Sequence, residues 1–133
     1  MKKFFGAILL VLLSACAVWT VDPGELQRGD PNGMVFTTTG RPSYDQVWNA
    51  AMKAMSNGMS IVESHKPSGT IRSRVGASHS GKVVAFFITP TTPNAPQYTI
   101  ELVSKKPMGL GQPERNNWDP SVIEDFKAAL NTK

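Results

Sequence analysis

An apolar run of ten residues at positions 4–13 follows two lysines at the start of the chain and gives way to small side chains at Ser14 and Ala15. This order of charged, apolar and small residues is typical of a secretory signal that is removed. A transmembrane helix needs about 20 apolar residues to cross the hydrocarbon core, so this run is too short for a lasting span. We therefore expect residues 1–15 to be cleaved, which leaves enough chain for one domain with a modest core.

Cys16 follows these small residues and is the only cysteine of the chain, so no intramolecular disulfide can use it. The sequence Leu13-Ser14-Ala15-Cys16 resembles the lipobox of bacterial lipoproteins, in which the signal is cut before a cysteine that receives the lipid. The resemblance implies that Cys16 becomes the acylated first residue of the mature protein. Because Ala17 follows it instead of aspartate, the resemblance also implies the periplasmic face of the outer membrane of a Gram-negative host. The alternatives are an ordinary secretory signal with a chance cysteine and a buried N-terminal helix.

The segment after this cysteine, up to residue 33, contains several glycines, prolines and polar side chains and shows little apolar periodicity. This composition predicts a lipidated, flexible linker over residues 16–33 and a single domain over residues 34–133. The formal charge of the chain is +4, and it falls to about +2 once Lys2 and Lys3 are removed. So small a charge gives no compositional support for nucleic-acid binding, and we predict no nucleic-acid partner.

Two helices are indicated by capping residues and by apolar spacing. Ser43 and Gln46 form a capping box, which predicts a helix that begins at Ser43 or Tyr44 and ends at Gly58. Cap residues around Pro120 predict a last helix near the C-terminus. In both segments the apolar residues recur every three or four positions, which predicts one buried face for each helix. These residues are Tyr44, Val47, Trp48, Ala51, Met52 and Met55 in the first helix and Val122, Ile123, Phe126 and Leu130 in the second.

Four runs between the helices have strand character, at residues 59–63, 70–75, 82–89 and 98–103, and residues 34–39 are a further short strand or an extended lead-in. The run 82–89 is apolar on both faces, which predicts a central strand. Short loops favour antiparallel neighbours. We expect a two-layer α+β domain, with a meander of three or four antiparallel strands packed on one face by an N-terminal and a C-terminal helix. The opposite face is expected to be partly open.

The residues Ser43-Tyr44-Asp45-Gln46-Val47-Trp48, then Ile61-Val62-Glu63, then Gly69-Thr70-Ile71, and the final helix at 123–130 form a recognisable order. Over residues 41–131 this order resembles small proteobacterial outer-membrane lipoproteins of unassigned function. It also resembles the helix-grip domains of the C-component lipoprotein of the β-barrel assembly machinery. The resemblance implies a non-enzymatic envelope protein that works through protein contacts.

The residue types of catalytic and metal sites are sparse. His65 and His79 fall in or beside predicted turns, and neither has a cysteine or a second histidine at metal-ligand spacing. The pair Gly109 and Gly111 lacks the third glycine of a dinucleotide fingerprint. We predict no metal and no cofactor. An unrecognised hydrolase is a second alternative, which would require carboxylates clustered beside a histidine.

Basic side chains mark the predicted interaction surface. The segment 105–117 is longer than an ordinary connection and is therefore a candidate functional surface. Alternation in the run 70–75 places two arginines on its solvated face. The predicted interaction residues are Arg72, Arg74, Lys105, Lys106 and Arg115.

Two kinds of partner are consistent with these features. The favoured interpretation is a membrane-anchored, non-enzymatic module that binds an envelope protein or assists envelope assembly. The alternative is a binder of a lipid, amphiphile or envelope glycan in a cleft between sheet and helix. The predicted lining of that cleft is Trp48, Met52, Met55 and Phe87.

Overall fold

A computed structural model describes residues 22–75, 82–93, 96–105 and 118–131. The fold is α+β, as the sequence predicts, with five strands instead of three or four. None of the helices in these ranges is both long and apolar enough to cross a membrane. In chain order the elements are β1 (Met34–Thr37), α1 (Tyr44–Met55), β2 (Met59–His65), β3 (Thr70–Val75), β4 (Val83–Pro90), β5 (Tyr98–Lys105) and α2 (Trp118–Asn131).

The sheet has the strand order β1-β5-β4-β3-β2, and every neighbouring pair is antiparallel. Strands β2 to β5 form the predicted meander, and β4 is the middle strand of the five-stranded sheet. The additional strand is β1, which pairs with β5 from Met34 opposite Leu102 to Thr37 opposite Thr99. Helix α1 connects the two edge strands, β1 and β2, and therefore crosses one face of the sheet.

The predicted start of α1 is confirmed. The backbone N–H of Gln46 donates to Ser43 Oγ at 3.1 Å, and the backbone N–H of Ser43 donates to Gln46 Oε1 at 2.8 Å. These reciprocal bonds satisfy donors that the first helical turn leaves without partners. Helix α1 ends at Met55, and Gly58 follows in the left-handed conformation with φ of 74°.

The main core lies between the two helices and the sheet. Every second residue of β4 points into it, namely Val84, Phe86 and Ile88. The Phe126 ring of α2 packs on Phe86, with the ring centroids 5.1 Å apart. The residues between them on β4 point to the opposite face of the sheet because side chains alternate along a strand.

The turn between β2 and β3 is fixed against β4. It contains a short 3-10 helix, Lys66–Ser68, and Gly69 follows with φ of 66°. A Cβ atom built on Gly69 would lie 2.3 Å from the carbonyl oxygen of Ile88, and the Ile88 N–H donates to the Gly69 carbonyl at 2.8 Å. Glycine is therefore required here both by the backbone conformation and by the close approach of β4.

Residues 22–33, which we call the strap, lie across the sheet face opposite the helices. The strap begins with a 3-10 helix, Pro23–Glu25, capped by Asp22, whose side chain accepts from the Gly24 N–H. Leu26 is only 3% exposed and joins a second apolar cluster with Val83, Ala85, Phe87 and Val103. The predicted flexible linker is thus wrong for residues 22–33. The strap covers the second face of the sheet around Val83, Ala85, Phe87 and Val103.

Candidate functional site

Arg72 of β3 binds the strap from the sheet. Arg72 Nη2 donates to the Leu26 carbonyl at 2.9 Å, and its Nη1 donates to Glu63 Oε2, also at 2.9 Å. The guanidinium lies 5.6 Å from the centroid of the Phe87 ring. Arg72 is 9% exposed, so its predicted place on a solvated interaction surface is wrong. The alternation along β3 correctly placed Arg72 on the face opposite that of Ile71. The strap covers that face, so Arg72 is buried there.

Two residues of the strap bond to side chains of β5. Glu25 forms an ion pair with Lys105 Nζ at 3.0 Å, at the end of β5. We call this the entry end, because the chain reaches the sheet there. The N–H of Gly29 donates to Glu101 Oε1 at 2.6 Å. Lys105, predicted as an interaction residue, therefore has a structural contact with the strap.

Arg28 is the strap residue that reaches the other end of the sheet. Its Nη1 donates to the Ile88 carbonyl at 3.4 Å and to Thr89 Oγ1, and its Nη2 donates to the Ser68 carbonyl. The guanidinium also lies 5.1 Å from the Phe87 ring centroid. Two arginines, Arg28 and Arg72, thus approach the same aromatic ring, and attraction between their charge and the ring's π-electrons contributes to both contacts.

A cleft of about 330 Å³ opens beside Arg28. It combines one cation with hydroxyl groups and apolar walls, which is the chemistry of a binding site that orients a polar group beside an apolar one. We call it the distal cleft, since it lies at the end of the sheet away from the entry end. It is lined by Arg28, Tyr44, Pro67, Ser68, Ile88, Thr89 and Pro90.

Tyr44 forms one wall of the distal cleft. Its hydroxyl donates to the Lys66 carbonyl, and its ring packs on Tyr98 with centroids 5.7 Å apart. Burial raises the pKa of the Tyr44 phenol above its usual value of 10.0, and the positive charges of Lys66 and Arg28 oppose that rise. The phenol therefore serves as a neutral hydrogen-bond donor at neutral pH.

The two cations near the cleft, Lys66 and Arg28, differ in their partners. Lys66 pairs with Asp45 at 2.8 Å, whereas the acceptors of Arg28 are two carbonyl oxygens and a hydroxyl. Among the residues that the structure describes, no carboxylate forms an ion pair with Arg28. The cleft therefore presents a guanidinium held only by neutral groups.

The predicted lipid or glycan cleft is not formed by its four predicted residues. Trp48 and Met55 are buried in the main core, and Met52 packs against that core. Phe87 lies on the other face of the sheet under the strap. The prediction that these side chains line one cleft is wrong because Phe87 points to the face of the sheet opposite the core that contains Trp48 and Met55.

Arg74 lies on β3 and is half-buried. His65 is exposed, and its Nδ1 lies 2.8 Å from Ser68 Oγ in the same turn, where it caps the 3-10 helix. Within the described ranges, no three His, Cys, Asp or Glu side chains come together as a metal site. Cys16, His79, Lys106 and Arg115 lie outside the described residues.

No protein-family model matches the chain, and no curated protein is significantly similar to it. The candidate site is therefore defined by its geometry: the strap, the two arginines on Phe87 and the distal cleft. Sequence reasoning missed Leu26 and Arg28 entirely. One signal was present, since Asp22 followed by Pro23 is an N-cap followed by the proline that favours a first helical position.

Proposed function

We propose that the protein is a lipid-anchored, non-enzymatic interaction module on the periplasmic face of the outer membrane, where it binds an envelope protein close to the bilayer. The lipobox at Cys16 supports the anchor. Acylation of the single cysteine would leave the chain without a thiol for catalysis, which is consistent with a binding role.

The observation that carries the proposal is the position of the strap. The structure describes the chain from Asp22, and Leu26 is already buried on the sheet, so at most six positions separate Cys16 from the described fold. Six residues span at most about 20 Å when fully extended, whereas a linker that ran to Gly33 would span about 60 Å. A short tether restricts the partner to the immediate vicinity of the membrane.

The strap also supports a particular orientation of the domain. The chain arrives at the entry end, next to Lys105, and the distal cleft lies near Thr89. Thr89 pairs with Thr99, so almost the whole length of β5, about 20 Å, separates the two ends. With the anchor at the entry end, the distal cleft faces away from the bilayer and towards a partner.

A hydrolase finds little support around this cleft. The hydroxyl of Ser68 touches His65, but the two residues belong to one turn, and Ser68 Oγ also donates to the His65 carbonyl at 3.2 Å. Within the described part of the chain, no carboxylate forms an ion pair with His65 to orient its ring. The contact acts as a local cap.

Site-specific photo-crosslinking in intact cells tests the proposal. A photoreactive residue at Thr89 or Pro90, on the rim of the distal cleft, is expected to give a discrete protein adduct. The same probe at Asn49, on the exposed side of α1, serves as the matched control. The adduct should be lost in Cys16→Ser, which removes the anchor. Absence of any adduct from the cleft, or equal adducts from both surfaces, would contradict the proposal.

A further inference from the structure

We propose that the distal cleft binds an extended segment of a partner protein that carries a carboxylate beside an apolar side chain, and that Arg28 forms the ion pair with this carboxylate. The identity of the partner as a protein rests on the proposed function. The chemistry of the recognised group rests on the cleft itself.

Charge complementarity identifies the group. Four other basic residues of the described ranges already have carboxylate partners, and the cation in the cleft has only neutral acceptors. A guanidinium presents a planar set of N–H donors that matches a carboxylate, and such charge-assisted bonds are stronger than bonds to neutral acceptors. The matched pairs are Lys66 with Asp45, Arg72 with Glu63, Lys82 with Asp119 and Lys105 with Glu25.

The cation is held in position before a ligand arrives. Arg28 lies on the Phe87 ring, and the Ile88 and Ser68 carbonyls fix its two terminal nitrogens. Ordering an arginine side chain on binding is costly, and this arrangement reduces that cost.

The walls define the rest of the ligand. The volume of about 330 Å³ is at the lower end for a ligand pocket, which suits one or two side chains of a peptide. Pro67, Ile88 and Pro90 supply apolar contact next to the cation. A glutamate or aspartate adjacent to an apolar residue fits both parts of the cleft.

The strap links binding to its own attachment. Because Arg28 belongs to the strap, the complete cleft exists only while the strap lies on the sheet. A ligand that binds this form stabilises the attached strap. By the same coupling, a change that loosens the strap must lower the affinity for the ligand. Leu26 is the strap residue that is buried against the sheet, and it does not line the cleft, so it can influence affinity from outside the site.

A peptide-display experiment tests the recognition. A random octapeptide library is panned on the purified mature chain, and a synthetic peptide with the recovered consensus is compared with its Glu→Gln or Asp→Asn counterpart. We expect a consensus with an acidic residue beside an apolar one, and an affinity about tenfold or more lower for the amide peptide. A consensus without an acid, failure to recover any consensus, or equal affinities would overturn the proposal.

Variants of the protein locate the binding group. Arg28→Met should lower the affinity for the acidic peptide at least about tenfold, and it should lower the affinity for the amide peptide much less, because only the acidic peptide loses an ion pair. The matched control is Lys66→Met, which removes a paired cation next to Pro67 of the cleft lining and should change the affinity for the acidic peptide less than about twofold. Equal losses for both peptides in Arg28→Met would show a general structural effect and overturn the ion pair.

The linkage has its own readout. The acidic peptide should slow backbone hydrogen exchange at Leu26 and Gly29. The Leu26→Ala variant should bind the acidic peptide with an affinity several-fold lower than that of the wild type. Unchanged exchange together with unchanged affinity in Leu26→Ala would overturn the linkage. These experiments use the purified chain, so their failure is distinct from failure of the crosslinks in cells, which test the anchored module and its partner.

Discussion

Arg72 donates a hydrogen bond of 2.9 Å to the carbonyl oxygen of Leu26, and this contact joins the centre of β3 to the strap. The two residues are 46 positions apart. Together they convert a segment with the composition of a linker into part of the folded domain. The formation of the distal cleft depends on this attachment, and so does the length of the proposed tether.

The contribution of Arg72 can be measured with Arg72→Met, which keeps an apolar stem beside Phe87 and removes both hydrogen bonds. We expect a loss of roughly 1–2 kcal/mol in the free energy of unfolding, because the Leu26 carbonyl loses a charged donor. The loss is moderated because Arg72 Nε, which is buried without a hydrogen-bond partner in the described structure, is removed too. Denaturant unfolding, with exposed Lys53→Met as control, checks this; equal stability of the two variants would contradict it.

Leu26 contributes the apolar part of the attachment. Leu26→Ala should lower the free energy of unfolding by about 2 kcal/mol, near the lower end for buried leucines because its cluster is small. Hydrogen exchange should accelerate at Leu26 and Gly29 and remain slow in β4. The control is Val35→Ala on β1, which is 61% exposed and should cost little. Uniformly faster exchange across the sheet would show that the strap does not open as a separate unit.

A comparison of alanine variants at Gly69 and Gly29 distinguishes the cost of steric contact from the cost of backbone strain. Both glycines have positive φ, but a Cβ at Gly29 would meet nothing within 4 Å, whereas at Gly69 it would meet the Ile88 carbonyl. Gly29→Ala should cost about 1 kcal/mol from the left-handed conformation alone. Gly69→Ala should cost roughly 2 kcal/mol more, since β4 must move away. Thermal unfolding of the two variants compares them directly, and similar losses would contradict the close contact.

Tyr44 gives a prediction for alkaline pH. Burial raises the pKa of its phenol in the folded state, so the stability that this group contributes is fully present below the unfolded pKa of about 10 and is lost as the pH rises through the folded pKa. The chain has two tyrosines, so the absorbance titration of the wild type minus that of Tyr44→Phe isolates Tyr44. The midpoint of this difference should lie above 10.0. A midpoint at or below that value would contradict the burial of the phenol.

The elements of the fold were predictable because their signals are local. Ser43 and Gln46 are three residues apart, so a capping box is visible in the sequence, and the alternation in β3 is visible over six residues. The prediction of β4 as a central strand rested on its apolar residues on both faces, and the structure confirms it.

The strap was missed because its partners are distant in sequence. Leu26 is a single apolar residue in a polar segment, and it is buried by Phe87 and Val103, which no local pattern connects to it. The two apolar faces of β4 held a usable clue. If both helices cover one face, then Val83, Ala85 and Phe87 need another cover.

The distal cleft was also beyond local patterns. Arg28 contacts Ser68 and Thr89, which are 40 and 61 residues away, and only the sheet brings these two together. By contrast, the predicted arginine at position 72 was placed on the right face and assigned the wrong environment, since the cover on that face was unknown.

In the proposed arrangement, Cys16 carries the lipid that anchors the domain, whose described part starts at Asp22. The most direct test is the intact mass and N-terminal sequence of the protein purified from cell membranes. We predict a chain that begins at Cys16 and carries acyl chains on that residue, and a Cys16→Ser variant that carries none. A membrane-purified chain that retains residues 1–15, or whose Cys16 is unmodified, would contradict it.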